Sequence, residues 1–121
     1  MYKRQIDIEY AESRGIKVFN TTDGPTQSVA ELTLGLAINL LRGIHSANSN
    51  MKNRIWKKEI GSLLFGRKIG VIGLGRIGKK VSEMFQLFGC KILGTDINPD
   101  TKWAMEREVQ ICTLEELLER S

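Results

Sequence analysis

The sequence is poor in the residues that most often carry catalysis or bind metals. It holds one histidine, His45, and two cysteines, Cys90 and Cys112, in 121 residues. The cysteines have no metal-ligand spacing, so no metal site is expected, and they read as buried thiols in a reducing cytosol. His45 lies among Ser46, Asn48 and Ser49 on a helical stretch, and no functional role is expected for it. No apolar run reaches the ~18–20 residues of a membrane span. The most apolar stretch, 29–44, is broken by Glu31, Thr33, Asn39 and Arg42, and no secretory signal is expected. The net charge is +4, but the bases are scattered among acids. Clusters such as Lys57-Lys58 and Lys79-Lys80 are short, which argues against a nucleic-acid partner. There are no internal repeats and no low-complexity segment.

What remains is enough for one modest domain, with 41% hydrophobic residues. Residues 6–14 have a helical pattern, with Gly15 as its stop. Residues 16–19 read as a short strand, and NTTDGPTQ (20–27) as a turn-rich loop. Ser28 and Glu31 form a capping box that opens one long helix, 28–52. Its first half is apolar nearly all round, so neither side can face water and part of it should meet another domain or subunit. Its second half is polar and should emerge into solvent. Residues 56–65 tie this helix to the next strand.

A strand at 67–72, a glycine turn at 73–78 and a helix at 77–88 follow. The helix presents Ile77, Val81, Met84, Phe85 and Phe88 on one face, and Gly89 should end it in a left-handed conformation. A second strand at 91–95 closes on Asp96. A short helix at 101–107, a third strand at 109–112 and a helix capped by Thr113 and Glu116 complete the pattern. This order predicts an α/β fold, a partial Rossmann-type parallel sheet preceded by the long apolar helix.

The glycine turn carries the chemistry. Gly73-x-Gly75-x-x-Gly78 directly follows a strand, opens an amphipathic helix, and is succeeded after one crossover by a strand ending in Asp96, eighteen residues after Gly78. That is the full context of a dinucleotide-binding fingerprint. Gly73 permits the tight turn, Gly75 lets backbone approach a pyrophosphate, and Gly78 lets helix and strand pack closely. The helix N-terminus attracts phosphates. Asp96 would accept hydrogen bonds from the adenosine ribose. The same carboxylate would repel a 2′-phosphate, and Ile97, Asn98 and Pro99 supply no arginine to receive one, so NAD is favoured over NADP. Arg76, inside the turn, would add charge near the pyrophosphate.

Several stretches occur in this order: Ile6-Asp7, ESRGIKVFNT, SVAELTLGLAINLLR, Trp56, FGRKIGVIGLGRIGKKV and FGCKILGTD. The chain resembles the D-isomer-specific 2-hydroxyacid dehydrogenases, and within them the phosphoglycerate-dehydrogenase-like members, from Ile6 to Ser121. The V-A-E-x-T helix before the glycine turn makes the likeness specific. The resemblance implies a substrate domain and an NAD-binding domain with a cleft between them. Residues 6–27 would be the tail of the first and 28–121 the N-terminal part of the second, with 28–52 in the homodimer-forming region. It implies NAD contacts from the turn residues Gly73, Leu74, Gly75, Arg76, Ile77 and Gly78 and from Asp96. It brings Thr33 near the cofactor as well, beside the alternative of a plain helix threonine. It implies hydride transfer between NAD and a small D-2-hydroxy acid or 2-oxo acid in a cytoplasmic oxidoreductase.

The family's catalytic arginine, histidine and glutamate are implied to come from segments after Ser121, so this chain is expected to be a fragment with no catalytic residue and no turnover of its own. The opening MYKRQ (1–5) is expected to be a read-through scar of a sequencing adapter and foreign to the fold. The alternative function is a non-catalytic NAD-sensing module.

Overall fold

Residues 6–19, 21 and 24–121 are described by the structure, a computed structural model. The proposed scar at 1–5, and residues 20, 22 and 23 of the turn-rich loop, lie outside them. Along the described residues the elements run α1 (Ile8–Ser13), α2 (Thr26–Arg42), α3 (Ile44–Lys52), β1 (Lys68–Ile72), α4 (Arg76–Leu87), β2 (Lys91–Thr95), α5 (Thr101–Glu106), β3 (Gln110–Ile111) and α6 (Leu114–Arg120).

The three strands form one parallel sheet in the order β1-β2-β3. Successive side chains of a strand face opposite sides of the sheet. A Cβ on Gly70 would meet Leu117 of α6, whereas Val71 faces Gly78 of α4. The sheet is therefore covered by α6 on one side and α4 on the other, as parallel sheets require. α2 lies across α4 and adds a further layer. The core sits between these elements and includes Val71, Leu74, Val81, Phe85, Ile92 and Ala30. Phe85, 3% exposed, contributes about 2–3 kcal/mol by burial.

Three expectations need correction. Residues 16–19 are not a strand. The Ile16 N–H instead closes the end of α1 by donating to the Ala11 carbonyl, and no strand among the described residues runs beside 16–19 to ladder with it. The capping box at Ser28 and Glu31 does not form either. Pro25 is the N-cap, and its ring-fixed φ suits a helix start. The Ser28 hydroxyl donates to the Pro25 carbonyl, and Glu31 accepts from the Gln27 amide one turn back. Finally, the helix expected over 28–52 is two helices, α2 and α3. Gly43 adopts a left-handed φ of 60° and ends α2. The Asn39 side chain then accepts from the His45 N–H and starts α3. A left-handed glycine is an efficient helix stop, and an apolar pattern running through it does not reveal the break.

The apolar character of α2 is explained by two faces. Ala30, Leu34, Ala37, Ile38 and Leu41 pack into the core. Val29, Leu32, Leu36 and Leu40 form a second stripe that is exposed, Leu40 to 82%. α3 buries none of its residues, as its polar sequence predicts. On α4, Phe88 lies at the C-cap and is 45% exposed rather than buried. The fully buried Ser82, whose hydroxyl donates to the Gly78 carbonyl, takes a place on the inner face. The left-handed Gly89 and the Thr113/Glu116 capping box form as expected.

Candidate dinucleotide site

Register builds this site. Ile72 pairs with Thr95 across β1 and β2, so both strands leave the sheet at the same end. The Gly73 N–H donates to the Thr95 carbonyl at 2.8 Å, and Gly73 turns with φ 90°, a conformation costly for any residue with a Cβ. α4 then starts after Gly75, which has no side chain to cap it. The first-turn N–H groups of a helix have no intrahelical acceptor and stand at the positive end of its dipole. A Cβ added to Gly75 would meet nothing within 4 Å, so the approach to those N–H groups is open. A Cβ on Gly78 would overlap the Gly73 carbonyl oxygen. Turn and helix touch there, and only glycine fits.

Asp96 emerges beside this turn. Its Oδ2 accepts the Leu74 N–H at 2.6 Å and its Oδ1 the Asn98 N–H at 2.9 Å. The bond from Asn98, then that from Leu74, holds the carboxyl below the usual range, with a smaller contribution from the Lys79 charge. Each carboxylate oxygen retains lone-pair capacity for a hydroxyl donor. Asp96 borders a recess of about 380 Å³ lined also by Ile72, Gly73, Thr95, Ile97 and Leu114. The recess has aliphatic walls and an anionic rim. A carboxylate-rimmed recess beside an open helix N-terminus is an arrangement that can hold a dinucleotide.

The candidate residues divide by position. Gly73, Gly75, Gly78 and Asp96 are brought together. Leu74 is 4% exposed, and its N–H is committed to Asp96. Ile77 turns its side chain to the core, leaving its backbone at the first turn of α4. Arg76 is the first residue of α4 and exposed, near Lys79 and Lys80. Thr33 is apart from this group: it sits on α2, its hydroxyl donates to the Val29 carbonyl at 2.7 Å, and it does not line the recess. His45 is exposed on α3.

One cluster escaped the sequence reading. The Lys79 ammonium lies 2.6 Å from Asp100 Oδ2 and 5.1 Å from the centre of the Trp103 ring. Asp100 also N-caps α5 by accepting the Trp103 N–H. Its carboxyl is held low, first by Lys79 and then by that N–H. A pair twenty-one residues apart has no periodic signature. The Asp100 cap, three residues before Trp103, was the one local hint.

Among the described residues no group of histidine, cysteine or acidic side chains could hold a metal ion. No helix there is long and apolar enough to cross a membrane.

Known proteins resemble this chain in sequence and fold. The family described as D-isomer specific 2-hydroxyacid dehydrogenase, NAD binding domain, matches residues 34–121; Thr33 lies just outside that match. The D-3-phosphoglycerate dehydrogenase of Rattus norvegicus is 41% identical over 116 residues, covering 93% of this chain and 21% of the relative. That of Methanocaldococcus jannaschii is 44% identical over 93 residues, covering 75% of this chain and 18% of the relative. The chain therefore spans about a fifth of the length of these curated relatives. A D-lactate dehydrogenase from Aquifex aeolicus, crystallised with NAD and lactic acid, superposes with a TM-score of 0.80 at 28% identity over 98% of this chain and 36% of that one.

Proposed function

We infer, from the premise that this chain belongs to the D-isomer specific 2-hydroxyacid dehydrogenase family through its NAD-binding domain, that it holds the adenosine-diphosphate half of NAD in a phosphoglycerate-dehydrogenase-like oxidoreductase. The observation that carries this reading is the fixed carboxylate of Asp96, clamped by two backbone N–H groups beside an uncapped helix N-terminus. The first-turn N–H groups of α4 receive the diphosphate, and Arg76 adds charge there. Gly73 and Gly78 shape the turn, and Gly75 leaves room. Leu74 acts by fixing Asp96, which accepts from the ribose hydroxyls. Ile77 contributes backbone only. Thr33, apart from the recess and with its hydroxyl proton on Val29, is assigned to the cofactor by the family resemblance alone, beside the alternative of a plain helix threonine. When bound, NAD supplies the site that accepts or donates the hydride.

The proposed substrate of the longer protein is a small D-2-hydroxy or 2-oxo acid, handled in the cytoplasm. Residues 6–27 are then substrate-domain sequence and 28–121 NAD-domain sequence. None of the described residues is assigned to the chemical step: Asp96, the one titratable group lining the recess, is given to the ribose. Calorimetric titration of the chain with NAD is expected to show saturable binding, and mixing it with NADH and 2-oxo acids to show no NADH oxidation. A folded chain that ignores NAD would sink the assignment, and clear turnover would place the chemistry within this chain. Binding of NAD by a longer protein that nowhere supplies proton-transfer groups would favour an NAD-sensing module.

The exposed stripe Val29, Leu32, Leu36 and Leu40 on α2 is the proposed homodimer surface. An apolar stripe of this kind is not left to water without consequence. Because Leu36 and Leu40 lie outside the core, Leu36→Asp or Leu40→Asp should cost the protomer little stability yet shift the elution volume from dimer to monomer. An unchanged elution volume with dimeric mass would move the interface elsewhere.

A further inference from the structure

The ribose end of the site faces an acid, yet a cation is held close by. Lys79 is the fourth residue of α4, one helical turn into the segment that begins at the glycine turn. Among the groups that hold the Asp96 carboxyl low it comes last, after the Asn98, Leu74 and Ile97 N–H groups. Its ammonium is drawn toward the far end of the Asp96 loop by Asp100 at 2.6 Å and by the Trp103 ring at 5.1 Å. The ammonium is thus neutralised four residues beyond the carboxylate that would meet a ribose.

We propose that Asp100 is a specificity-determining residue of the nucleotide site: by sequestering Lys79 with Trp103, it keeps a latent cation from serving a ribose 2′-phosphate beside Asp96. The inference rests on the dinucleotide reading above. A lysine is a compact charge on a flexible four-carbon stem, so a released ammonium sweeps a wide arc. Coulomb attraction between it and a dianionic 2′-phosphate persists over several ångströms at a partly exposed site. The Lys79–Asp100 pair is itself partly exposed, with side chains 28% and 49% accessible. Such pairs add little to stability, which leaves selection of the ligand as the larger consequence of its position.

The test measures NAD and NADP affinity of the chain and its variants at low salt. Asp100→Asn keeps a side-chain oxygen to cap α5 but removes the charge that holds Lys79. The ratio of NAD to NADP affinity is expected to narrow by about three- to tenfold, chiefly through tighter NADP binding, and the gain should fade as salt screens it. In Asp100→Asn combined with Lys79→Gln, no cation is released, and the ratio is expected to return to that of the unaltered chain. An unchanged ratio in Asp100→Asn, with NAD binding intact, overturns the proposal. So does a narrowed ratio that persists in the double variant, which would mean that the loop had merely loosened. If the unaltered chain is folded but binds neither nucleotide, the dinucleotide reading itself has failed, and the proposal with it.

Discussion

Replacing Gly78 with Ala is expected to lower the melting temperature by on the order of 10 °C and to abolish NAD binding. The added Cβ would overlap the Gly73 carbonyl oxygen and lie 3.4 Å from Val71 Cγ1. The obstructing atom is backbone, at a residue already committed to φ 90° and hydrogen-bonded through its N–H to Thr95. It cannot swing aside as a side chain would. Overpacking of this kind costs about 3 kcal/mol or more when nothing yields. Relief requires lifting α4 from β1, which moves the first-turn N–H groups proposed to receive the diphosphate.

Gly75→Ala is the informative comparison. Its Cβ would meet nothing within 4 Å, and φ is −70°, so the fold loses only the N-cap preference for glycine over alanine, under about 1 kcal/mol. NAD affinity should nevertheless fall, because the methyl group would stand on the proposed path of the pyrophosphate. Thermal unfolding read beside calorimetric titration separates the two glycines. If Gly78→Ala melted like the unaltered chain, the close contact between turn and helix would not exist in solution.

Asp96→Ala is expected to weaken NAD binding roughly ten- to a hundredfold, the range of hydrogen bonds to a charged group, and to narrow the gap to NADP by a similar factor. The loss is double. The ribose hydroxyls lose their acceptor, and the Leu74 and Asn98 N–H groups lose theirs, so the turn and the β2–α5 loop are no longer tied together. The anion that disfavours a 2′-phosphate is removed in the same step. An unchanged preference between NAD and NADP would mean that Asp96 is not the ribose acceptor.

The pH profile adds a second readout. The Asp96 carboxyl is held below its unfolded value, chiefly by the Asn98 and Leu74 N–H groups. Its contribution to stability is therefore fully present above the unfolded carboxylate pKa of about 4, and it is lost as pH falls through the lower folded value. NAD binding should accordingly persist to pH values at which an ordinary carboxylate is half protonated, and then fail. In Asp96→Ala that acidic limb should be absent.

The glycine turn, its strand and helix, and the acid at the end of the second strand were legible from the chain alone. Each depends on short-range rules: β-branched runs make strands, apolar residues three and four apart make a helix face, and a glycine is required where φ is positive or a Cβ has no room. The two apolar faces of α2 were legible for the same reason, since a helix apolar all round needs two covers. The break at Gly43 and the helix start at Pro25 were not, because an apolar period runs through the first and a plausible serine cap competes with the second. Residues 16–19 show the same limit from the other side. Their β-branched character is local, whereas a strand exists only where a neighbouring strand supplies a ladder.

The tertiary structure decided which groups meet. The pairing of Ile72 with Thr95 sets Asp96 against Leu74, and the packing of α4 beside α5 sets Lys79 against Asp100 and Trp103. Neither contact follows from spacing along the chain, because both depend on strand register and helix placement. Those are settled by burial of the whole core, to which Val71, Phe85 and Ile92 contribute from three different elements. The sequence by itself determined the glycine turn and the following acid of a dinucleotide-binding fingerprint. The fold decided that the Asp96 carboxylate is pre-set by two backbone donors and that Lys79 is kept occupied by Asp100.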